Sequence, residues 1–227
     1  MLSQPVDAAM TLAIKGAALF CGAALTLLPQ LDELAERLAT DKPGVRLYGD
    51  PLLRATLGEA VLADLVRDHI GNAARPVRAI LFDKTPETNW ALGWHQDRTI
   101  TVKARHVLPG YEVWTTKAGL PHVEPPFSLI EHMLTIRVHL DDVDEDNAPL
   151  LIAPGSHRLG RITEAEIGGI VERCGTHACL AMRGDIWGYA TPILHASSRS
   201  QSHRHRRVLQ IDYSPDSLPE TLEWLGV

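Results

Sequence analysis

Along the first third of the chain, apolar residues recur at helical steps. Leu31, Leu34, Ala35 and Leu38 fall three and four residues apart before Lys42-Pro43-Gly44 interrupts the pattern, as expected of a helix that lays one stripe on a core. Thr56 and Glu59 have the Ser/Thr-x-x-Glu spacing that lets side chains satisfy free amides at a helix start, which predicts a second helix ending near Gly71. The stretch from Ala8 to Leu28 is apolar, but Lys15 sits inside it and no basic segment precedes it. It reads as a short strand around Leu12–Ile14 and then a buried helix, not as a membrane span or export signal.

From Arg78 the texture changes to short runs of β-branched and aromatic residues separated by turn residues. Strands are predicted at 78–82, 99–103, 134–140, 150–153, 185–189 and 208–213. Within 134–140, Leu134, Ile136, Val138 and Leu140 alternate with Thr135, Arg137 and His139, so one face packs while the other presents polar groups. One helix interrupts the strands. Thr163 and Glu166 have the capping spacing, Ile167, Ile170, Val171 and Cys174 share a stripe, and Gly175 ends it. The segment from His106 to Glu131 is rich in Pro and Gly and lacks periodicity, which predicts a long loop of the kind that covers an active site. The expectation is one domain over 1–227, with helical support over 1–75 and an all-β core over 76–215.

Composition narrows the partners. The 227 residues are 45% hydrophobic and 22% charged with a net charge of −6, so a folded domain is expected and no global basic field draws it to nucleic acid or anionic lipid. The basic run His203–Arg207 is too short to reverse that reading. A small-molecule substrate is the expected partner. Cys21, Cys174 and Cys179 form no C-x-x-C pair and are odd in number, so they read as reduced thiols of a cytoplasmic protein.

The candidate chemistry begins in Asn89–Ile100. Residues two apart on a strand share a face, so His95 and Asp97 can offer an imidazole and a carboxylate to one ion. One more histidine would complete the two-His-one-carboxylate face of non-haem Fe(II) oxygenases, which leaves positions open for a bidentate 2-oxo acid and for O2. The same His-x-acid shape occurs at His122/Glu124 and His139/Asp141, so the pair alone does not discriminate. The run Gly184–Ser198 followed by Arg206–Tyr213 does, because a histidine, His195, is followed eleven residues later by an arginine opening another strand. An arginine there can grip the far carboxylate of an oxo acid bidentately.

At these residues the chain resembles the phytanoyl-CoA dioxygenase family of Fe(II)/2-oxoglutarate oxygenases. The resemblance runs from about Arg78 to Tyr213 through Trp94-His95-Gln96-Asp97, Asp146-Asn147-Ala148-Pro149-Leu150, Pro154-Gly155-Ser156-His157 and the pair His195 and Arg206. It implies a double-stranded β-helix, a cupin-like jelly roll, with His95, Asp97 and His195 as iron ligands, Arg206 as the anchor of 2-oxoglutarate and Ser197 assisting it. Ala148 departs from the family's usual glycine. Arg207 remains an alternative anchor, since strand parity turns only one of the two inward. Asp97 argues against a halogenase, which would need that position for chloride.

Three further assignments follow from position. Asn89 and Trp90 could line the co-substrate pocket, and Lys103 or Arg105, together with Arg137, could receive an anionic group of the substrate. The expected reaction is hydroxylation of an aliphatic C–H of a small carboxylate-bearing molecule, an amino acid derivative or acyl compound, releasing succinate and CO2. A metabolite-binding jelly roll without activity and a zinc hydrolase are the competing classes.

Overall fold

The computed structural model describes residues 8–38, 42–219 and 221–227. In chain order the strands are β1 (Ala17–Phe20), β2 (Gly44–Leu47), β3 (Arg75–Lys84), β4 (Leu92–His95), β5 (Ile100–Thr101), β6 (Glu112–Lys117) and β7 (Leu120–Glu124). They continue with β8 (Leu134–His139), β9 (Leu150–Ile152), β10 (His177–Cys179), β11 (Ile186–Ala190), β12 (His195–Ser197) and β13 (Arg206–Ser214). The helices are α1 (Ala8–Lys15), α2 (Leu28–Arg37), α3 (Pro51–Leu57), α4 (Ala60–Ile70), α5 (Phe127–Glu131) and α6 (Glu164–Cys174).

The strands form a six-stranded sheet in the order β1-β11-β8-β13-β3-β2, a four-stranded sheet β10-β9-β12-β4 and a three-stranded sheet β5-β7-β6, with antiparallel pairing throughout. This mainly β architecture with flanking helices is a cupin-like jelly roll.

Alternation on the large sheet explains its two faces. Ala79 and Leu81 of β3, Leu134, Ile136 and Val138 of β8, and Leu209 and Ile211 of β13 join Leu31, Leu34, Leu53, Leu62 and Val66 of the helices in one buried cluster. Fully burying a leucine such as Leu53 or Leu62 contributes roughly 1.5–3 kcal/mol, so this layer fixes the helices to the sheet. The opposite face looks into the roll. There Trp187 and Tyr189 of β11 meet Leu150 and Ile152 of β9, while Thr135, Arg137 and His139 are buried as well. Strand 134–139 is therefore covered on both faces, with the polar set turned to the interior.

Several local expectations change. The segment Leu12–Ile14 lies in helix α1, and the strand comes later as β1, paired with β11. Thr56 does not cap the second helix; its hydroxyl donates to the Leu52 carbonyl inside α3 at 2.9 Å. Asp50 caps α3 instead, accepting from the amides of Leu52 and Leu53, and α4 follows as a separate helix ending at Gly71. The capping box of Thr163 and Glu166 forms as expected, and Gly175 ends α6 at a φ of 71°. The segment 106–131 contains the β6–β7 hairpin, turning through Ala118 and Gly119 at φ values of 51° and 78°. Its apolar alternation is weak because β6 is largely exposed. Residues before 76 supply β1 and β2, which flank the large sheet at its two edges.

Among the described residues no helix is long and apolar enough to cross a membrane. The three cysteines are free.

Candidate metal centre and its cationic cavity

Strands β4 and β12 are neighbours in the small sheet, and their register sets His95 directly opposite His195, with ring centroids 4.3 Å apart. Gln96 points the other way. Its amide donates to the carbonyls of Gly160 and Pro192 and accepts from the Ile162 amide, which pins the backbone so that Asp97, just past β4, returns to the histidine side. One ligand atom from each of His95, Asp97 and His195 lies within 4.8 Å of the others, and among the described residues this is the group able to hold a metal ion.

The hydrogen bonds prepare those atoms for a cation. His95 Nδ1 lies 2.7 Å from the Gly93 carbonyl, and His195 Nδ1 lies 2.9 Å from the Ile193 carbonyl. A carbonyl only accepts, so both Nδ1 atoms carry the proton and both Nε2 atoms present lone pairs. Burial lowers His195 to about 4, against the opposing pull of Asp97, and keeps the ring neutral. Burial pushes the Asp97 carboxyl upward, but Arg78, His195 and His95 outweigh it and hold it below the usual carboxylate range. Arg78 donates to Asp97 Oδ2 at 3.2 Å and to Asp212 on its other side. Asp212 also accepts from Thr135 at 2.9 Å, so the bridge is anchored deep in the large sheet.

The three residues line a cavity of about 170 Å³ whose wall is strongly cationic. Inward parity on β3 delivers Arg78, Ile80 and Phe82, and on β13 it delivers Arg206 and Gln210. Arg206 is 2% exposed. It donates to the Ala148 carbonyl at 2.9 Å, while its Nε finds no hydrogen-bond partner. Arg207 turns outward and pairs with Asp141 at 2.6 Å, which leaves Arg206 as the arginine of that pair that reaches the cavity. Ala148 adopts a φ of 50°, the left-handed conformation that a glycine would take without strain.

The remaining candidates divide. Ser197, Trp90 and Arg137 line the cavity, with Arg137 donating to Gln210 at 2.9 Å. Asn89 does not reach it, because its amide exchanges hydrogen bonds with Ser200. Lys103 and Arg105 do not reach it either. Strand β5 stops at Thr101, Lys103 pairs at the surface with Glu223 at 2.6 Å, and Arg105 stacks over Trp114. The rival His-x-acid pairs do not assemble: His122 bonds Thr101, Glu124 takes Arg161 and Asp141 takes Arg207, while His139 is buried with neither ring nitrogen partnered.

Four cations, Arg78 among them, are given no role by the sequence alone. Lys84 is completely buried, donates to Ser197 Oγ at 2.9 Å and to the Ser198 carbonyl at 2.6 Å, and lies over the Trp90 ring. Burial, then Arg206 and Arg137, lower it to about 7. It shares strand parity with Arg78, a signal the sequence carried. Arg46 on β2 and Lys117 on β6 also line the cavity, and only tertiary folding brings them there.

Among solved structures, AviO1 from Streptomyces viridochromogenes superposes with a TM-score of 0.66 at 20% identity, covering 95% of this chain and 97% of that one. EctD from S. alaskensis with 2-oxoglutarate and 5-hydroxyectoine gives 0.69 at 18%, covering 100% and 82%. HygX from Streptomyces hygroscopicus with nickel and 2-oxoglutarate gives 0.67 at 16%, covering 96% and 90%. At these identities the likeness shows a shared fold. A comparison with curated proteins finds no match. The sequence profile of the phytanoyl-CoA dioxygenase (PhyH) family matches residues 30–208, most of the chain, and with the jelly roll around it this chain belongs to that family.

Proposed function

We propose that the protein is an Fe(II)- and 2-oxoglutarate-dependent dioxygenase that hydroxylates an aliphatic C–H of a small, carboxylate-bearing substrate and releases succinate and CO2. The observation that carries this reading is the convergence of His95, Asp97 and His195 on a cavity that is also lined by Arg206, whose Nε is buried without a partner. Two neutral imidazoles and one carboxylate are the donor set of a ferrous centre with open positions. The iron, when bound, supplies oxygen activation coupled to decarboxylation of the oxo acid. EctD and HygX, which share the fold, were crystallised with 2-oxoglutarate.

The chain's own residues then have assignable tasks. The Nδ1 bonds of His95 and His195 fix the tautomers, and Arg78 occupies Asp97 Oδ2, leaving Asp97 to offer its other oxygen to a metal that these three residues would hold. Arg206 holds the distal carboxylate of the co-substrate, with Ser197 beside it. Lys84 positions Ser197 and adds positive charge. Trp90 and Phe82, their rings 6.0 Å apart, shield that end from water, which strengthens the charge pairing.

Succinate formation from 2-oxoglutarate under Fe(II) and air, with and without His95→Ala, tests this proposal. Iron-dependent succinate lost in the variant supports it. Stable 2-oxoglutarate binding without turnover across a substrate panel would support a metabolite-binding jelly roll instead, and turnover with Zn(II) but not Fe(II) would support a hydrolase.

A further inference from the structure

Arg46, Arg78, Lys117, Arg137 and Arg206 line the cavity against a single lining carboxylate, Asp97. Three of the five have partners. Arg78 is held between Asp97 and Asp212, Arg137 donates to Gln210, and Arg206 donates to Ala148. Arg46 and Lys117 have neither a hydrogen bond nor an ion pair among the described residues, and Arg46 Nε is buried without a partner. Arg37, Lys103, Arg161, Arg183, Arg204 and Arg207, outside the cavity, each meet a carboxylate.

The two side chains come from different sheets, Arg46 from the edge strand β2 and Lys117 from the hairpin strand β6 beside its turn. Arg46 is half-buried and Lys117 sits exposed at the cavity rim; partial desolvation lowers both, with Arg78 adding to each and Arg46 adding to Lys117, against the opposing pull of Asp97 on Lys117. Holding such groups together disfavours their charged forms unless an anion arrives. Fe(II) and dianionic 2-oxoglutarate cancel one another in charge, so loading the centre leaves these two cations uncompensated. Lys103 and Arg105, the basic candidates that the sequence offered on the strand after the metal pair, are turned away.

We infer that Arg46 and Lys117 form the head-group subsite of the substrate, gripping a terminal oxyanion, carboxylate or phosphate, and turning the carbon chain next to it toward His95, Asp97 and His195. The inference rests on the oxygenase reading and assigns the anionic end of its substrate. Arg46 supplies a planar fork and Lys117 a point charge at the end of a hairpin strand, a combination that accepts either oxyanion.

The test uses protein loaded with Mn(II) and 2-oxoglutarate, titrated by calorimetry and tryptophan fluorescence with butyrate, methyl phosphate and neutral butyramide. At least one anion binds about tenfold more tightly than butyramide, and which of the two does so names the head group. Arg46→Gln and Lys117→Gln each weaken that anion about tenfold, weaken 2-oxoglutarate far less, and leave the melting temperature near that of the parent. Arg46→Lys recovers part of the loss, which a purely structural role would not allow. Equal binding of anions and amide, no binding of either anion, or anion binding that merely displaces 2-oxoglutarate overturns the inference. If the parent protein still forms iron-dependent succinate, the oxygenase reading survives that failure; if it forms none, both fall.

Discussion

Replacing Arg206 by methionine should move stability and co-substrate affinity in opposite directions. Burial first and Arg137 second bring the Arg206 guanidinium down from 12.5 to about 9. A depression of that size makes the buried charge about 5 kcal/mol unfavourable relative to water. Because the group is protonated in both folded and unfolded chains below about 9, the cost is present throughout the neutral range. Methionine removes it but orphans the Ala148 carbonyl, which costs about 1–3 kcal/mol. The protein without metal or oxo acid should therefore gain about 2–4 kcal/mol, with the melting temperature rising roughly 2–4 °C for each kcal/mol in a chain of this size. Binding of 2-oxoglutarate loses the charge-assisted pair, worth about 2–5 kcal/mol, so affinity falls roughly 30- to 4,000-fold. Thermal melts in chelator and calorimetric titration of the Mn(II)-loaded protein read the two effects. A variant that melts lower and binds 2-oxoglutarate as tightly as the parent would refute the reasoning, because Arg206 would then be a structural strut.

Lys84, lowered to about 7, should make both stability and 2-oxoglutarate binding pH-dependent. Between about 7 and its ordinary 10.5 only the unfolded chain holds the proton, so its contribution to stability grows as pH rises through that window. The dianion favours protonated Lys84, so affinity for 2-oxoglutarate should weaken above about pH 7 with a slope approaching one proton, and Lys84→Met should flatten the profile measured by calorimetry. Ala148→Gly relieves a left-handed alanine and should stabilise the protein by about 1 kcal/mol in a denaturant melt; a loss of stability would show that the φ of 50° is unstrained. Lys103→Ala and Arg105→Ala should each change the substrate KM by less than about twofold, since exposed pairs of this kind contribute little. A larger shift would place the substrate outside the cavity described above.

The periodicity of 134–140 and 208–213 announced the large sheet, and its polar alternates, Thr135, Arg137 and Gln210, do face the interior. The parity of β3 likewise held Arg78 and Lys84, though both read as unremarkable strand charges without knowledge of which face closes inward. Short strands such as β4 and β12 left weaker traces, because three or four residues carry too little alternation to separate from loop.

What the sequence determined by itself was local and periodic. It specified strands with one apolar face, a capped helix at Thr163, the neighbouring pair His95 and Asp97, and the spacing from His195 to an arginine. Tertiary structure decided what depends on closure of the roll. The register of β4 against β12 sets His95 opposite His195, the outward pairing of Arg207 with Asp141 leaves Arg206 at the cavity, and the closing of that cavity brings Arg46 of β2 and Lys117 of β6 into one lining. A charge is a local property of its residue. The field it creates depends on which distant charges share its low-dielectric space, and no short-range pattern along the chain encodes that distance.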